Sequence, residues 1–418
     1  MKIQDSVVFK NFTYLFINQF FNLIVPLLVF PFLLKNLGLE LFGLYSFTYS
    51  AILFCFMFCD YGFNFSGSKY IAINKLDIEK RDIAFSTIVT LKGLIAIVIS
   101  ILWIAFVFYY PIFKNNINFG LLFLGMILGN AINLQWFFQG IEKLGWYSTI
   151  NSVIKLASNI AILFVVKSAA DINLIPLIYS SAFILTGLIT YVVAIYSEKL
   201  LFISSSINTF KQFLKDGFDY FITISTTSLV FNGTIIILSF FEKSILIIGA
   251  FSALDRIIKI LVSIYVPYST AMYPRNMANF QIGFAEGRKS VLKHGAIALV
   301  FSIAIILIIC IFSEDILSFL YPKLVIYSNW LKLFSFWFFF IIFNNLLGYH
   351  FLNGLNKSGI FRNINIVYTI ITVALMIVGC SLFSFKGCIV SVIIGEVLLT
   401  IMLLIKTKSI LSNTKTNL

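Results

Sequence analysis

Charged side chains are scarce in this chain of 418 residues, and their scarcity excludes most soluble folds. Asp, Glu, Lys and Arg together make up 11% of the sequence, whereas a soluble domain averages about 25%. Too few polar groups therefore remain to cover a surface that faces water. We expect no separate soluble domain.

Cysteine is also scarce, and its pattern excludes the common metal and redox motifs. The five cysteines lie in or beside apolar stretches and match no zinc or thioredoxin spacing: Cys55, Cys59, Cys310, Cys380 and Cys388. Buried thiols at such positions pack as small apolar groups. The sequence contains no nucleotide-binding loop and no nucleophile constellation. We therefore expect no cofactor, no metal site and no catalytic residue, which argues against an enzyme.

Apolar residues are abundant instead. They make up 60% of the sequence, 48 of them are Phe, and the mean hydropathy is +1.00. A helix that crosses a bilayer needs about 20 mostly apolar residues. The first apolar stretch is too long for a cleavable signal peptide, so we interpret it as a span. The sequence predicts an all-α integral membrane protein of about twelve transmembrane helices, at residues 12–34, 43–64, 86–109, 119–138, 147–167, 174–195, 218–240, 245–270, 294–313, 328–350, 364–384 and 388–406.

The basic residues indicate how these helices are oriented. The chain has 30 Lys and Arg against 17 Asp and Glu. On a soluble chain this excess would suggest a nucleic acid partner. Here most basic residues lie in the connectors that are cytoplasmic if the N-terminus is inside, as the positive-inside rule requires. We therefore expect both termini in the cytoplasm, an even number of spans and no nucleic acid partner.

An internal repeat divides the chain into halves. Residues 139–145 read QGIEKLG and residues 353–359 read NGLNKSG, and the same offset aligns Asn130 with Asn344. The offset contains six predicted helices, so both halves have the same orientation, an arrangement found in transporters. The repeat predicts an N-lobe of helices 1–6 at residues 1–205 and a C-lobe of helices 7–12 at residues 206–418. Two parallel six-helix lobes would then surround a central cavity.

Four basic residues inside predicted spans are candidates for binding an anion. An ionisable group in hydrocarbon costs at least about 2.5–3.5 kcal/mol, so it usually faces protein or a watery cavity. The four are Arg256, Lys155, Lys259 and Lys92. A phosphate or pyrophosphate suits them, because Arg binds phosphate with two parallel hydrogen bonds and Lys supplies a compact charge. Lys92 is near enough to the interface that snorkelling is an alternative.

Four acidic residues are candidates for ion coupling or gating. They are Glu396, Asp60, Asp255 and Asp219. Asp255 and Lys259 are four residues apart, so they can pair on one helix face. Asp60 could instead snorkel, and Glu396 could pair with a neighbouring helix. Polar residues such as Asn130 and Asn344 could contact sugars or bond helix to helix.

Short motifs, stronger in the first half, add a family resemblance. They are Gln19, Asn22, Pro26 and Pro31, then Leu37-Gly38, Glu40 and Phe42-Gly43, then Asp60-Tyr61-Gly62, Ser68-Lys69-Tyr70-Ile71-Ala72, Gln135-Trp136, Gln139-Gly140 and Gly145. Together with the length and the helix count, they resemble the Wzx-type O-antigen flippases. These belong to the polysaccharide transport family within the multidrug/oligosaccharidyl-lipid/polysaccharide (MOP) flippase superfamily, which also includes the MATE transporters.

The resemblance implies a function. Such a flippase moves undecaprenyl-pyrophosphate-linked oligosaccharide, an O-antigen repeat unit for lipopolysaccharide biosynthesis, from the cytoplasmic to the periplasmic leaflet of the bacterial inner membrane. It implies alternating access, membrane lipids as surroundings, and H+ or Na+ as coupling ion. We expect a monomer, and association with other O-antigen assembly proteins stays open.

Two other functions compete with the flippase. A multidrug/cation antiporter of the same superfamily would favour an acidic cavity, whereas deep bases slightly outnumber deep acids here. A polytopic O-antigen polymerase or ligase usually has a large periplasmic loop, and no predicted outside loop is long. The chain also lacks the two additional helices of lipid II flippases, so the resemblance does not imply a dedicated lipid II role.

Overall fold

The computed structural model describes the backbone of residues 2–415 and the side chains of residues 28–410, and this part of the chain is helical without strands. It divides into two compact units, which we call unit 1 (Met1–Ser228) and unit 2 (Leu229–Leu418). Gln19, Asn22 and Pro26, which carry part of the family resemblance, lie outside the residues whose side chains are described.

Unit 1 is a bundle of membrane-length and shorter helices. Helix α1 packs against α7, α2 against α6, and α5 against α3 and α8. The helices are α1 (Lys2–Asp60), α2 (Phe63–Ile73), α3 (Ile78–Tyr109), α4 (Ile117–Leu122), α5 (Leu124–Ala131), α6 (Gln135–Gly140), α7 (Leu144–Val165), α8 (Leu174–Glu198) and α9 (Ile207–Phe231), the last of which ends just inside unit 2.

Unit 2 is also a bundle of helices. Helix α12 packs against α11 and α13, while α14 packs against α10 and α13. The helices are α10 (Gly233–Phe241), α11 (Ile245–Ile282), α12 (Phe284–Leu320), α13 (Ser328–Asn345) and α14 (Ser358–Lys415), and a π-helical turn at Leu346–Leu352 follows α13.

The outer faces of these helices are apolar. On α3, Leu94, Ile97, Val98, Ile101 and Leu102 are each more than half exposed. A continuous apolar face of this kind is unfavourable in water and favourable against lipid tails. The helix also satisfies its backbone hydrogen bonds internally, as hydrocarbon requires. The structure therefore agrees with the predicted all-α membrane class.

The long helices contain sharp breaks at single residues. Gly38 in α1 has φ 79° and ψ 171°, and Ser384 in α14 has φ 54° and ψ −138°. Gly62, with φ 78°, turns the chain between α1 and α2. A Cβ on Gly62 would lie 2.5 Å from the backbone oxygen of Gly217, so glycine is required there for both conformation and space.

The candidate membrane spans are fewer than the predicted twelve helices, mainly because two long helical stretches each contain two predicted spans. Within residues 28–410, eight helical stretches are long and apolar enough to cross a bilayer, and α9 with α10, bent by 55°, would form a ninth. Leu28–Ile73 has 46 residues and Ser358–Ile410 has 53, each more than twice the roughly 20 of one span. Helix α11 is not among them, because Asp255, Arg256 and Lys259 lie together in its apolar part.

The connector after α8 is attached to α3. Asp82 Oδ1 accepts from the Leu201 backbone N–H at 3.0 Å, and Ser86 Oγ accepts from the Ile203 N–H at 2.9 Å. These bonds satisfy backbone groups that the extended connector cannot satisfy itself. They fix where α9 begins.

By packing, the division between units falls within α9 rather than before it. The Tyr61 and Phe221 rings stack with centroids 4.9 Å apart, and Phe213 lies 5.0 Å from Tyr70. Most of α9 therefore packs with unit 1. The lobe boundary at residue 205 derives from the sequence repeat and stays a prediction.

Candidate functional site

Unit 1 contains a buried ion pair, formed by Asp60 and Lys92. Asp60 is the last residue of α1, and Lys92 lies in the middle of α3. Lys92 Nζ is 3.0 Å from Asp60 Oδ1, and the Lys92 side chain is only 2% exposed. Asn130 on α5 donates to the same carboxylate oxygen at 3.2 Å. Three helices thus meet at one carboxylate.

The pair changes how both residues are interpreted. Lys92 also donates to the Asn133 backbone oxygen at 3.3 Å, so its ammonium has acceptors inside the protein. It therefore does not snorkel to the interface, which was the alternative interpretation of this residue. Removing one member of a buried pair leaves an uncompensated charge, which is far costlier than losing the pair. The structure thus joins a candidate for anion binding to a candidate for ion coupling.

Unit 2 contains a second buried pair on α11. Lys259 Nζ is 2.5 Å from Asp255 Oδ2, and the two side chains are 9% and 1% exposed. The predicted pairing of Asp255 with Lys259 on one helix face is therefore confirmed. Lys259 Nζ also lies 5.0 Å from the centre of the Phe231 ring, a favourable cation–π distance. Arg256, half-buried, follows Asp255 directly, so this turn of α11 holds two cations and one anion.

A cluster around Glu396, which we call the carboxylate cluster, is formed by Asn344, Tyr368, Glu396 and Thr400. Asn344 Nδ2 donates to Glu396 Oε2 at 2.6 Å, and the Tyr368 hydroxyl donates to Oε1 at 2.7 Å. Thr400 donates to Asn344 Oδ1 at 2.7 Å. Glu396 is 6% exposed. These bonds join α13 to two parts of α14, so Asn344 bonds helix to helix.

The remaining candidates are separate from these groups. Lys155 on α7 is half-buried within unit 1, and its backbone oxygen accepts from Asn159 Nδ2 at 2.6 Å. Asp219 on α9 is exposed. The roles assigned to all eight residues stay predictions.

The repeated motif at residues 139–145 lies at a surface charge cluster. Glu198, at the end of α8, is 2.5 Å from Lys143 Nζ and 3.3 Å from Arg81. Glu142 pairs with Lys75 at 3.0 Å. The contacts of Glu142 and Lys143 connect the motif to the turn after α2 and to α8, and explain its charged residues by packing.

A buried histidine group in unit 2 was missed by the sequence reasoning. His294 and His350 are joined through Asn276, which is 0% exposed. The three residues come from α11, α12 and the π-helical turn, and no local spacing connects them.

Comparison with known proteins identifies relatives. Residues 8–280 match the family described as "Polysaccharide biosynthesis protein". A "Putative O-antigen transporter" of Escherichia coli (strain K12) is 29% identical over 279 residues, which cover 66% of this chain and 67% of that protein. A protein of the same description from Shigella dysenteriae is 23% identical over 275 residues, 64% and 66% of the two chains. The match thus covers about two thirds of each relative.

Solved structures share the fold. A lipid II flippase MurJ, in an inward closed conformation, superposes with a TM-score of 0.77 at 17% identity, covering 94% of this chain and 87% of MurJ. An inward-facing multidrug resistance MATE family transporter of the MOP superfamily gives 0.75 at 13% identity, covering 96% of both chains. At these identities the likeness concerns the fold alone, which is the predicted MOP type.

Proposed function

The chain belongs to the polysaccharide biosynthesis protein family, and from this premise we propose that it is a flippase for undecaprenyl-pyrophosphate-linked oligosaccharide. It moves an O-antigen repeat unit from the cytoplasmic to the periplasmic leaflet of a bacterial inner membrane by alternating access, with both termini cytoplasmic. The description of the Escherichia coli relative as an O-antigen transporter supports this substrate class.

One structural observation carries the substrate proposal. Helix α11 keeps two cations, Arg256 and Lys259, at half-buried and buried positions in an apolar segment. A cation at such depth is costly, so it commonly marks a substrate or ion path. The guanidinium of Arg256 is a planar fork of donors that matches phosphate oxygens. We propose that Arg256 contacts the pyrophosphate, and Lys155 in unit 1 stays a separate candidate for binding an anion.

The coupling ion acts on the acidic candidates. Among them, Glu396 is surrounded by neutral oxygen and amide groups of the carboxylate cluster. Carboxylate, hydroxyl and amide oxygens are suitable ligands for a hard cation, and a lone buried carboxylate is also a site for a proton. We propose Glu396 as the principal coupling residue, with H+ or Na+ as the ion.

A leaflet assay tests the proposal. The purified chain is reconstituted into liposomes with an undecaprenyl-pyrophosphate oligosaccharide, and an external glycan-cleaving enzyme reports how much glycan becomes accessible, with and without an ion gradient. We expect the chain to accelerate this exposure. No acceleration by the folded chain with its cognate glycan would refute the flippase and favour the multidrug antiporter, whose cationic substrates would be measured next.

Variants of Arg256 test the phosphate contact. Arg256→Ala should lose at least about tenfold in rate, since a charge-assisted hydrogen bond contributes about 1.5–3 kcal/mol. Arg256→Lys should keep more activity than Arg256→Gln if the charge matters. Arg362→Gln, at an exposed position of unit 2, is the matched control and should retain the rate. Full activity of Arg256→Ala would remove Arg256 from the substrate path.

A further inference from the structure

The only two histidines of the chain are joined by one buried amide. His294 Nδ1 lies 2.9 Å from Asn276 Oδ1, and Asn276 Nδ2 lies 3.0 Å from His350 Nδ1. The three residues are 7%, 0% and 1% exposed. They come from α12, α11 and the π-helical turn, all in unit 2.

The donors and acceptors of this group assign different tautomers to the two rings. An amide oxygen only accepts, so His294 carries its proton on Nδ1 and donates to Asn276. The amide nitrogen only donates, so His350 Nδ1 is bare and accepts. His350 is therefore neutral in this arrangement, as the Nε2–H form, whereas His294 keeps a proton on Nδ1 whether its ring is neutral or protonated.

Neighbouring serine hydroxyls complete the hydrogen-bond network and allow either orientation of the Asn276 amide. His350 Nε2 donates to Ser269 Oγ at 2.9 Å, and Ser269 donates to Asn345 Oδ1 at 2.8 Å. Ser290 Oγ donates to Asn276 Oδ1 at 2.7 Å. A hydroxyl can donate or accept by rotating, so Ser290 accommodates Asn276 in either orientation of the amide.

The backbone around the group is locally weakened. Pro267 and Pro274 lie inside α11, on either side of Ser269. Each proline removes one backbone hydrogen bond from the helix. His350 lies in the π-helical turn Leu346–Leu352, a type of distortion that is frequent at functional sites. The network therefore joins two helical segments that are easier to deform than regular helix.

We propose that His294, Asn276 and His350 form a single-proton site in which the Asn276 amide decides which histidine holds the proton. In the orientation described, His294 can take a proton on Nε2 and keep its bond to Asn276 Oδ1. His350 cannot, because Nδ1–H would face the amide N–H groups. After the amide rotates by about 180°, its oxygen faces His350, which can then be the imidazolium, and His294 must stay neutral with a bare Nδ1.

The groups around the two rings are of types that ordinarily keep their charge where imidazole titrates. The titratable and charged groups that face the two rings are Arg275, Lys293, Tyr265, Tyr268, Tyr273 and Tyr349. Arginine, lysine and tyrosine ordinarily keep one charge state between about pH 5 and pH 8, where imidazole changes its own. One proton is taken from water on uptake and returned to water on release.

The consequence for transport rests on the proposed flippase function, whereas proton binding does not. A proton that changes histidine repositions Asn276 between α11, α12 and the π-helical turn. This gives unit 2 two hydrogen-bonded arrangements that differ in the occupied ring, which is the bistable element that ion coupling requires.

Imidazole ¹⁵N NMR tests the site directly. With a histidine-free affinity tag, labelled protein in lipid nanodiscs gives signals from only these two rings. We expect one Nδ1–H ring and one Nε2–H ring at about pH 8, and uptake of one proton in total as the pH is lowered through and below the ordinary imidazole range. Two rings of the same tautomer, or two independent protonations, would overturn the proposal. This readout needs no variant.

Variants then test the role of the amide. Asn276→Ala should remove the mutual exclusion, so that both rings become protonated over the same range. Asn279→Ala is the matched control on the same helix, because Asn279 donates to Ser290 at 3.0 Å and is not part of the bridge. It should keep single-proton uptake. Uptake of only one proton by Asn276→Ala would contradict the proposal that the Asn276 amide prevents both histidines from being protonated.

Transport under an imposed pH gradient tests the coupling. The ratio of exposure rates with and without the gradient should be lower in His350→Gln than in wild type, while the control Asn279→Ala keeps the wild-type ratio. A wild-type ratio in His350→Gln would refute coupling through this site. If the wild-type chain exposes no glycan at all, the flippase proposal fails, and the NMR result still decides whether the proton site exists.

Discussion

The ion pair of unit 1 provides the sharpest quantitative test, because its two members are separately replaceable. Asp60 and Lys92 are 3.0 Å apart with side chains 22% and 2% exposed. At that distance two unit charges attract by about 5.5 kcal/mol at an effective dielectric constant of 20, against about 1.4 kcal/mol in water. Most of this attraction offsets the cost of burying the charges, so the pair as a whole adds little net stability.

Single replacements should therefore cost much more than the double replacement. Asp60→Asn leaves Lys92 charged and nearly fully buried, and we expect a loss of about 4–5 kcal/mol in the free energy of unfolding. Lys92→Met leaves Asp60 charged, but Asp60 is partly exposed and keeps Asn130 as donor, so the loss should be nearer about 3 kcal/mol. Asp60→Asn with Lys92→Met buries no charge and should be within about 1 kcal/mol of wild type.

Reversible unfolding in mixed detergent micelles measures these energies, and an exposed pair serves as control. Lys75 and Glu142 are also 3.0 Å apart, with side chains 43% and 77% exposed. Lys75→Met should cost at most about 1 kcal/mol. A double variant at positions 60 and 92 that loses the sum of the two single losses would refute the account. A stable double variant that no longer transports would instead assign the pair to transport.

Three further expectations concern other parts of the chain. Tyr368→Phe removes a donor from the carboxylate cluster and should cost about 1–3 kcal/mol in the same unfolding assay. Gly387→Ala would place a Cβ against the Gly379 backbone oxygen and should cost at least about 3 kcal/mol, whereas Gly93→Ala, with nothing within 4 Å, should be neutral or stabilising. Asp77 accepts from the Lys80 backbone N–H, which lowers the pKa of Asp77. The stability that this carboxylate contributes is present above about pH 4 and is lost as the pH falls through the lowered pKa. Asp77→Asn should therefore make the melting temperature less dependent on pH in this acidic range.

Hydropathy predicted the helices well but not their ends or breaks. The eighth predicted span ends at residue 270, whereas α11 continues to Ile282, and the ninth begins at 294, whereas α12 begins at Phe284. A hydropathy pattern reports the part of a helix that lies in lipid, and a helix can continue beyond it through Arg288 and Lys293 because its backbone bonds are internal. The break at Ser384 has no comparable signal, since a left-handed serine depends on tertiary contacts.

The sequence predicted the one charge pair whose members are close in sequence. It did not predict contacts between residues that are distant in sequence. Asp255 and Lys259 lie one helical turn apart, so the sequence contains their contact. Asp60 and Lys92 lie on different helices, and their partnership depends on how α1 and α3 pack. The same limit applies to His294 and His350, which a sequence shows only as two isolated residues near span ends.

Two repeat-related asparagines contact carboxylates whose other partners differ, and this difference should make the two units respond differently to ions. Asn130 and Asn344 align in the repeat, and each donates its amide to a buried or partly buried carboxylate, Asp60 in unit 1 and Glu396 in unit 2. Asp60 also has a lysine ammonium at 3.0 Å, so its charge is compensated within the protein. Glu396 instead has a tyrosine hydroxyl, which hydrogen-bonds the carboxylate without neutralising it. Among the residues whose side chains the structure describes, no cation pairs with Glu396, so a mobile cation or proton gains more there than at Asp60. This asymmetry favours unit 2 as the ion-responsive half, the same unit that contains the histidine network.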